Sequence, residues 1–218
     1  RSTLFPYTTL FRSRDIVLIA VCISFIYCYR LSYETNTILK QSTPVLLLCS
    51  FLGGAAGSIL NSALETLLTN ASLLTLLPLF SGESGSLISI LGARLSSGLH
   101  SGLVEPFNKP KGEAVHNFVI CFILAIIVFP LIGLLAEGSS FALGVVGVGF
   151  DKIVEISTMS GLILVAIMVI LVYYVSITSY NHNLDPDNIV IPISTSITDS
   201  ISSFVLISVS LLLLGTLI

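Results

Sequence analysis

The chain has 218 residues, of which 54% are hydrophobic and 10% charged, and its net charge is −3 at pH 7. A soluble domain carries about 25% charged residues, so this composition excludes a soluble domain and predicts an integral membrane protein. The few basic residues are scattered along the chain, which argues against binding to nucleic acid. At about 20 to 30 residues per membrane helix, five or six spans fit into one all-α polytopic domain.

Residues 1–13 do not match the pattern of the rest of the chain. Their sequence, RSTLFPYTTLFRS, resembles the translation of a sequencing adapter, and the chain does not begin with Met, which fits a fragment. We therefore exclude this segment from the fold, as is done for any processing remnant, and expect the true N-terminus to be missing. Residues 14–43 are predicted to form an extra N-terminal hydrophobic helix, over about residues 15–29, and a linker.

Five longer apolar segments follow and are predicted to form the membrane domain, residues 44–218. The first holds a run of small residues, Gly53 to Gly57, which allows another helix to approach closely. The second is predicted to be interrupted, because Pro78, Gly82 and Gly85 fall close together and irregular backbone at membrane depth is tolerated only inside protein or beside a water-filled cavity. The predicted helices cover residues 44–68, 72–103, 114–136, 158–179 and 189–218.

The loops between these segments indicate an orientation. Basic residues fall mainly in alternate loops, with Arg30, Lys40, Lys109 and Lys111 on one side and Arg14 and Lys152 on the other. Because cytoplasmic loops carry an excess of Lys and Arg, the start of the first long span and the turn before the last span are expected to face the cytoplasm. Residues 138–157, on the opposite side, are predicted to hold a re-entrant or interfacial segment.

The last segment carries the strongest candidate for a functional site. Asp199 lies ten residues after Ile189, about 15 Å into a helix and therefore close to the midplane of a hydrocarbon core about 30 Å thick. An ionisable residue at this depth is costly and by default marks a functional site. Thr195 precedes it by four residues on the same helical face, and Ser196 follows Thr195. Such oxygens suit Mg²⁺, which keeps several of its waters and needs only one or two carboxylates.

Asp199 also has a structural interpretation, in which it is protonated or bonded to a neighbouring helix and only supports packing. Asp185, Asp187 and Asn188 lie in the turn before this segment. They either cap the helix and interact with its dipole or attract cations to a cytoplasmic mouth. Glu83 either faces the same cavity as Asp199 or is solvated at an interface. Arg94 is expected to be structural, pairing with a carboxylate or extending toward the surface.

Enzymatic chemistry is not indicated by any motif. The chain has no Gly-x-Ser-x-Gly elbow, no His-Glu-x-x-His motif, no phosphate-binding loop and no paired cysteine motif. We therefore predict that the protein is not an enzyme and uses no bound cofactor. A divalent cation is expected only as the transported ion.

Two motifs resemble those of a known family. The first comprises an Asp-Pro-Asp-Asn turn at 185–188, then Pro192, Thr195-Ser196 and Asp199. It resembles the last transmembrane helix of MgtE-type magnesium transporters, and is closest to their archaeal and solute-carrier-family-forty-one relatives, with the same spacing throughout. The second resembles the second-helix signature of that family and reads Pro78-Leu79-Phe80-Ser81-Gly82-Glu83-Ser84-Gly85, then Ala93-Arg94-Leu95-Ser96-Ser97.

The resemblance implies a five-helix half of a pore in the cell membrane, paired with a second identical copy or a homologous half. Asp199 of each half then faces a central path for a largely hydrated Mg²⁺, and the two carboxylates repel each other unless a cation or proton lies between them. Relatives usually have Gly-Asn in the second-helix turn, where this chain has Gly82-Glu83, so Glu83 bears on ion selectivity.

Two alternative functions remain open at this point. One is a proton- or sodium-coupled carrier that uses Asp199 as its coupling-ion site. The other is a non-transporting membrane subunit in which Asp199 and the small-residue faces serve assembly. The transported ion is expected to be Mg²⁺ first, with Co²⁺, Mn²⁺ and Zn²⁺ as weaker candidates.

Overall fold

The structure, a computed structural model, describes residues 16, 18–24, 33–62, 67, 70–107, 109–145, 147–184 and 186–215, with the backbone alone described at 33–37 and 186–188. Contacts divide the chain into two units, Arg1–Thr43 and Pro44–Ile218. In the first unit residues 18–24 are helical, inside the hydrophobic segment predicted there. Residues 33–43 are helical as well, so the linker predicted there was wrong over these residues. Residues 1–13 lie outside the described part of the chain.

Five long helices follow one another along the chain. They are α1 (Tyr33–Ser62), α2 (Ala71–His100), α3 (Glu113–Ala142), α4 (Phe150–Asn181) and α5 (Pro186–Leu214). Each contains a stretch long and apolar enough to cross a membrane. A helix of about 30 residues is roughly 45 Å long, so its ends extend beyond a hydrocarbon core of about 30 Å. The described residues contain no strand, and the prediction of an all-α polytopic protein with five spans is confirmed.

The second long span is a continuous helix, so the predicted interruption was wrong. Pro78 lies only in the second turn of α2, where it removes one backbone hydrogen bond. Glycine inside a helix costs about 1 kcal/mol, which is less than the cost of leaving backbone groups unpaired in lipid. The Ser86 hydroxyl donates to the Gly82 carbonyl at 2.9 Å and the Ser89 hydroxyl to the Gly85 carbonyl at 2.7 Å, both within the helix.

Of the re-entrant or interfacial segment predicted over residues 138–157, the re-entrant alternative was wrong, because most of these residues belong to the two long helices; an interfacial connection stays a prediction. α4 begins at Phe150, eight residues before the predicted start, and leaves a short connection after Ala142 of which residue 146 is not described. Side chains at the neighbouring helices bind its backbone. The Gly149 N–H donates to Glu137 Oε1 at 2.9 Å, and the Val148 N–H donates to Ser72 Oγ at 2.9 Å. Two backbone N–H groups of the connection are therefore paired by side chains, outside any helix.

In the second unit, α2 and α4 are central and α3 and α5 pack against both of them. Close contacts occur where glycine meets a large side chain. Gly161 of α4 lies directly against the ring of Phe129 of α3, and that ring lies 5.1 Å from the ring of Phe80 of α2. The four helices thus form one bundle around a buried apolar core.

Within this unit, residues 44–62 of α1 are mostly exposed and touch α5 through two hydrogen bonds. The Cys49 thiol donates to the Pro192 carbonyl at 3.3 Å, and the Ser200 hydroxyl donates to the Leu52 carbonyl at 2.9 Å. A Cβ atom added at Gly53, Gly54 or Gly57 would meet nothing within 4 Å. Among the described residues, therefore, no other helix uses this small-residue face.

Candidate functional site

The position of Asp199 depends on the packing of α5 against α2. Gly92 of α2 is buried, and a Cβ added there would lie 3.4 Å from a methyl group of Val190. The two helices run in opposite directions along the bundle. Eleven residues back along α2 lies Ser81, and nine residues forward along α5 lies Asp199. At 1.5 Å per residue both are about 15 Å from the glycine contact, so the packing places them side by side.

A hydrogen bond joins Asp199 to the neighbouring helix. The Ser81 hydroxyl donates to Asp199 Oδ1 at 2.9 Å, a bond strengthened when the carboxylate is ionised. The Ser202 hydroxyl lies 3.4 Å from Ser81 Oγ and 3.1 Å from the carbonyl oxygen of Asp199. The Ser203 hydroxyl donates to the same carbonyl at 2.9 Å. Two helices therefore contribute to this polar cluster, α2 with Ser81 and α5 with Asp199, Ser202 and Ser203.

Asp199 is exposed even though it lies near the middle of its span. A carboxylate facing lipid at this depth is strongly unfavourable. The hydrogen bond to Ser81 covers one oxygen and leaves most of the carboxylate surface exposed. The surface of α5 around Asp199 is therefore one that must meet water or another protein. Glu83 of α2, twelve residues after the start of its helix, is exposed as well.

The hydroxyls predicted to assist Asp199 differ in their bonding. Thr195 is half-buried, and its hydroxyl lies 3.0 Å from the Ile191 carbonyl and 3.1 Å from the Pro192 carbonyl. Its proton is thus directed to its own helix, which leaves its oxygen lone pairs as possible acceptors. Ser196 is half-buried, and its carbonyl receives the Ser200 hydroxyl at 3.3 Å.

The structure gives no contact between Asp199 and Glu83, and the side chains of the remaining predicted site residues lie outside the described part of the chain. Asp185 lies outside the described residues, and Asp187 and Asn188 are in the first turn of α5 with their side chains not described. Glu83 follows Ser81 by two residues, or about 200° around a helix of 3.6 residues per turn, so the two side chains leave α2 on different sides. In the described part of the chain no three His, Cys, Asp or Glu side chains are close enough to share a metal ion.

Ser81 is a residue of the candidate site that sequence analysis did not select. It was visible only as one member of the second-helix motif. Depth alone would not have found it, because Ser81 is ten residues from one end of α2 and Asp199 is fifteen residues from the matching end of the antiparallel α5, a difference of about 7.5 Å. The register of the two helices, which the sequence does not give, brings them together.

These features define a class: an integral membrane protein with several spanning helices and an exposed carboxylate near mid-membrane. Comparison with protein families gives a match to MgtE, divalent cation transporter, over residues 77–209, which is more than half of the chain. The chain belongs to this family of divalent cation transporters, as its motifs had predicted. The matched region includes both Ser81 and Asp199. A comparison with curated proteins gave no significant match.

Proposed function

We propose that residues 44–218 form a transport domain that conducts Mg²⁺ across the cell membrane, with Asp199 as the central carboxylate of the ion path. The observation that carries this proposal is the exposure of Asp199 at mid-span, together with its hydrogen bond to Ser81. The bond orients one carboxylate oxygen, and the exposure leaves the other free for a cation or its water shell. The hydroxyl oxygens of Thr195 and Ser196 add weaker acceptors on the same helix.

A second copy of the chain, or a homologous half, completes the path in this proposal. The argument is energetic. An exposed carboxylate at mid-span cannot be left against lipid, and a partner whose own Asp199 faces the same axis would cover it while leaving water between the two. Mg²⁺ that retains its waters needs only one or two carboxylates, which is the number that two halves supply. The protein is then metal-binding in its path and functions as a dimer or as a pair of related halves.

Asp185, Asp187 and Asn188 are assigned to the cytoplasmic mouth of this path. Asp187 and Asn188 lie in the first turn of α5 and Asp185 precedes that helix in the sequence, on the side that the loop lysines and arginines assign to the cytoplasm. Carboxylates at a mouth raise the local concentration of cations. Along the helix, Asp187 and Asn188 are about 17 to 18 Å from Asp199 at 1.5 Å per residue, so we assign this group to a separate entry site.

The decisive experiment is Mg²⁺ uptake into proteoliposomes by the full chain and by its Asp199→Asn variant. Asparagine keeps the shape of the side chain and a carbonyl oxygen for Ser81, but it removes the charge. We expect uptake to fall at least tenfold, because one lost charge interaction of about 1.4 kcal/mol corresponds to a factor of ten. The matched control is Asp151→Asn, which removes an exposed carboxylate from the first turn of α4 and is expected to leave uptake unchanged.

Equal uptake by the wild type and the Asp199→Asn variant would refute the assignment of Asp199 to the path. Uptake that persists without a proton or sodium gradient is expected for a channel, and dependence on either gradient would instead identify a coupled carrier. Helical content by circular dichroism must be the same for all proteins compared.

Glu83 is assigned a separate role in selectivity, because relatives usually have Asn at this turn and Glu83 is exposed near mid-span. The variant Glu83→Asn is expected to keep Mg²⁺ uptake while changing the ratio of Mg²⁺ to Co²⁺ or Mn²⁺ uptake. The measurement is competition between ions in the same liposomes. An unchanged ratio would show that Glu83 lies away from the path.

A further inference from the structure

A polar cleft lies between the C-terminal part of α2 and the N-terminal part of α3, away from Asp199. Its volume is about 340 Å³. The residues lining it are Ala93, Arg94, Ser97, Gly98, Ser101, Leu103, Glu113 and Asn117. The lining thus contains one cationic and one anionic side chain, three other polar residues and no aromatic residue.

Arg94 anchors the cleft through only part of its guanidinium. Its Nε donates to Asn117 Oδ1 at 2.7 Å, and Asn117 is buried, with 3% of its surface exposed. This bond joins α2 to α3 and satisfies a buried amide. Among the described residues the guanidinium has no ion pair, and a guanidinium carries five N–H donors in all. Arg94 is exposed, which fits the expected extension toward the surface, and it pairs with an amide and not with a carboxylate. Its remaining donors are available to a ligand.

Glu113 is the second charged group of the cleft. It is the first residue of α3 and is exposed. It lines the same cleft as Arg94, yet the two form no ion pair in the described part of the chain. Opposite charges that share a cleft without pairing are suited to a ligand that carries both charges itself.

The two serine hydroxyls that line the cleft also differ in whether they can donate a hydrogen bond to a ligand or accept one from it. Ser101 donates to the Ser97 carbonyl at 2.8 Å, so its oxygen can only accept from a ligand. The described structure gives the Ser97 hydroxyl no such backbone bond, and Ser97 is exposed, so this hydroxyl can donate. Arg94 and Ser97 thus supply donors, and Glu113 and Ser101 supply acceptors.

The level of the cleft in the membrane matches that of lipid headgroups. Arg94 is six residues before the end of α2 at His100, or about 9 Å. A helix of about 45 Å extends roughly 7 Å beyond each side of a 30 Å hydrocarbon core, which places Arg94 at the boundary of that core. The adjoining loop carries Lys109 and Lys111, both exposed, on the predicted cytoplasmic side.

We infer that this cleft binds the phosphoethanolamine headgroup of a membrane phospholipid. The phosphate lies against the free guanidinium donors of Arg94 and the Ser97 hydroxyl, since a guanidinium binds phosphate well. The ammonium group donates to the Glu113 carboxylate. Glu113 disfavours an anionic lipid that has no ammonium group. A choline headgroup cannot donate a hydrogen bond, and the aromatic faces that usually bind quaternary ammonium groups are absent from this lining.

The test is native mass spectrometry of the full chain in detergent. Equimolar ethanolamine, choline and glycerol phospholipids with identical acyl chains are added together. The wild type is expected to retain the ethanolamine lipid about tenfold more than the other two, the factor for one strong polar contact. Glu113→Gln is expected to retain phospholipids but to bring the ethanolamine-to-choline ratio close to one. The matched control, Glu105→Gln, removes an exposed carboxylate from the adjoining loop and is expected to keep the wild-type ratio.

Arg94→Gln is expected to lose retention of all three lipids, and circular dichroism must establish that it folds, because it also loses the bond to Asn117. If it does not fold, the Glu113→Gln ratio decides by itself. A wild type that prefers the glycerol lipid, or a Glu113→Gln protein with an unchanged ratio, would overturn the assignment. So would soluble phosphoethanolamine bound as tightly as the lipid, because the ligand would then be a free phosphate ester.

Discussion

Replacing Ser81 by alanine is the most direct test of how the two helices share the candidate site. The substitution removes a 2.9 Å hydrogen bond to Asp199 Oδ1 and only one oxygen atom. A hydrogen bond to a charged group contributes about 1.5 to 3 kcal/mol. Because Asp199 is exposed and water can replace part of the bond, the lower end applies. A loss of about 1.4 kcal/mol corresponds to a tenfold change, so we expect Mg²⁺ uptake by Ser81→Ala to fall about tenfold or somewhat less.

The assay is a double-mutant cycle in proteoliposomes with Ser81→Ala, Asp199→Asn and the double variant. If Ser81 acts by positioning the Asp199 carboxylate, it has little left to position once the charge is gone, and the two effects will not add. Ser89→Ala is the control, because the Ser89 hydroxyl donates to the Gly85 carbonyl of its own helix and has no bond to Asp199 in the described structure. Strictly additive losses would refute the reasoning, since Ser81 would then act independently of Asp199.

Two further predictions concern the bundle that holds the site. Gly161→Ala is expected to destabilise the protein by about 1 to 3 kcal/mol, because the added Cβ would collide with the buried ring of Phe129. Thermal unfolding followed by circular dichroism measures this, with Gly138→Ala, where a Cβ meets nothing within 4 Å, as the control; equal melting temperatures would contradict the packing. Tyr173→Phe is expected to cost about 1 kcal/mol, because the Tyr173 hydroxyl donates to the Phe107 carbonyl at 2.9 Å. The same unfolding assay tests it, and an unchanged melting temperature would mean that this bond adds no stability.

The fold was largely predictable because membrane spans are a property of local composition. Hydropathy over about 20 residues identified all five long helices, although the starts of α1 at Tyr33 and of α4 at Phe150 were missed. The errors occurred where the local sequence is typical of a loop or a helix break but the chain is helical in the structure. Pro78 and Gly82 are helix-breaking in water, but in lipid an unpaired backbone group costs more than a poor helix former, and α2 continues through both. The start of α4 at Phe150 was missed because Asp151, Lys152 and Glu155 make its first turns polar.

For the candidate site, the sequence predicted the depth of Asp199 in the membrane but not its contacts with neighbouring helices. Counting residues along a span gives the depth of a side chain in the membrane, and this singled out Asp199. It does not give the direction in which the side chain points, which depends on how neighbouring helices pack. The contact of Gly92 with Val190 sets the register of α2 against α5 and so selects Ser81 as the partner of Asp199. Glu83 is only two residues from Ser81 but leaves the helix on another side. Counting residues along the span does not predict this difference in direction.

The exposure of Asp199 also accounts for a preference for divalent ions under the proposed pairing. A hydrated Mg²⁺ has waters at about 2.1 Å and these bond a carboxylate oxygen about 2.7 Å further out, so each carboxylate lies about 4.5 Å from the ion. With the dielectric constant of water, a double charge gains about 1.8 kcal/mol from each carboxylate and a single charge half of that. Two carboxylates therefore favour the divalent ion by about 2 kcal/mol, and one carboxylate by about 1 kcal/mol. A lower dielectric constant in the path would enlarge this difference, and pairing two halves around Asp199 doubles the preference that a single carboxylate provides.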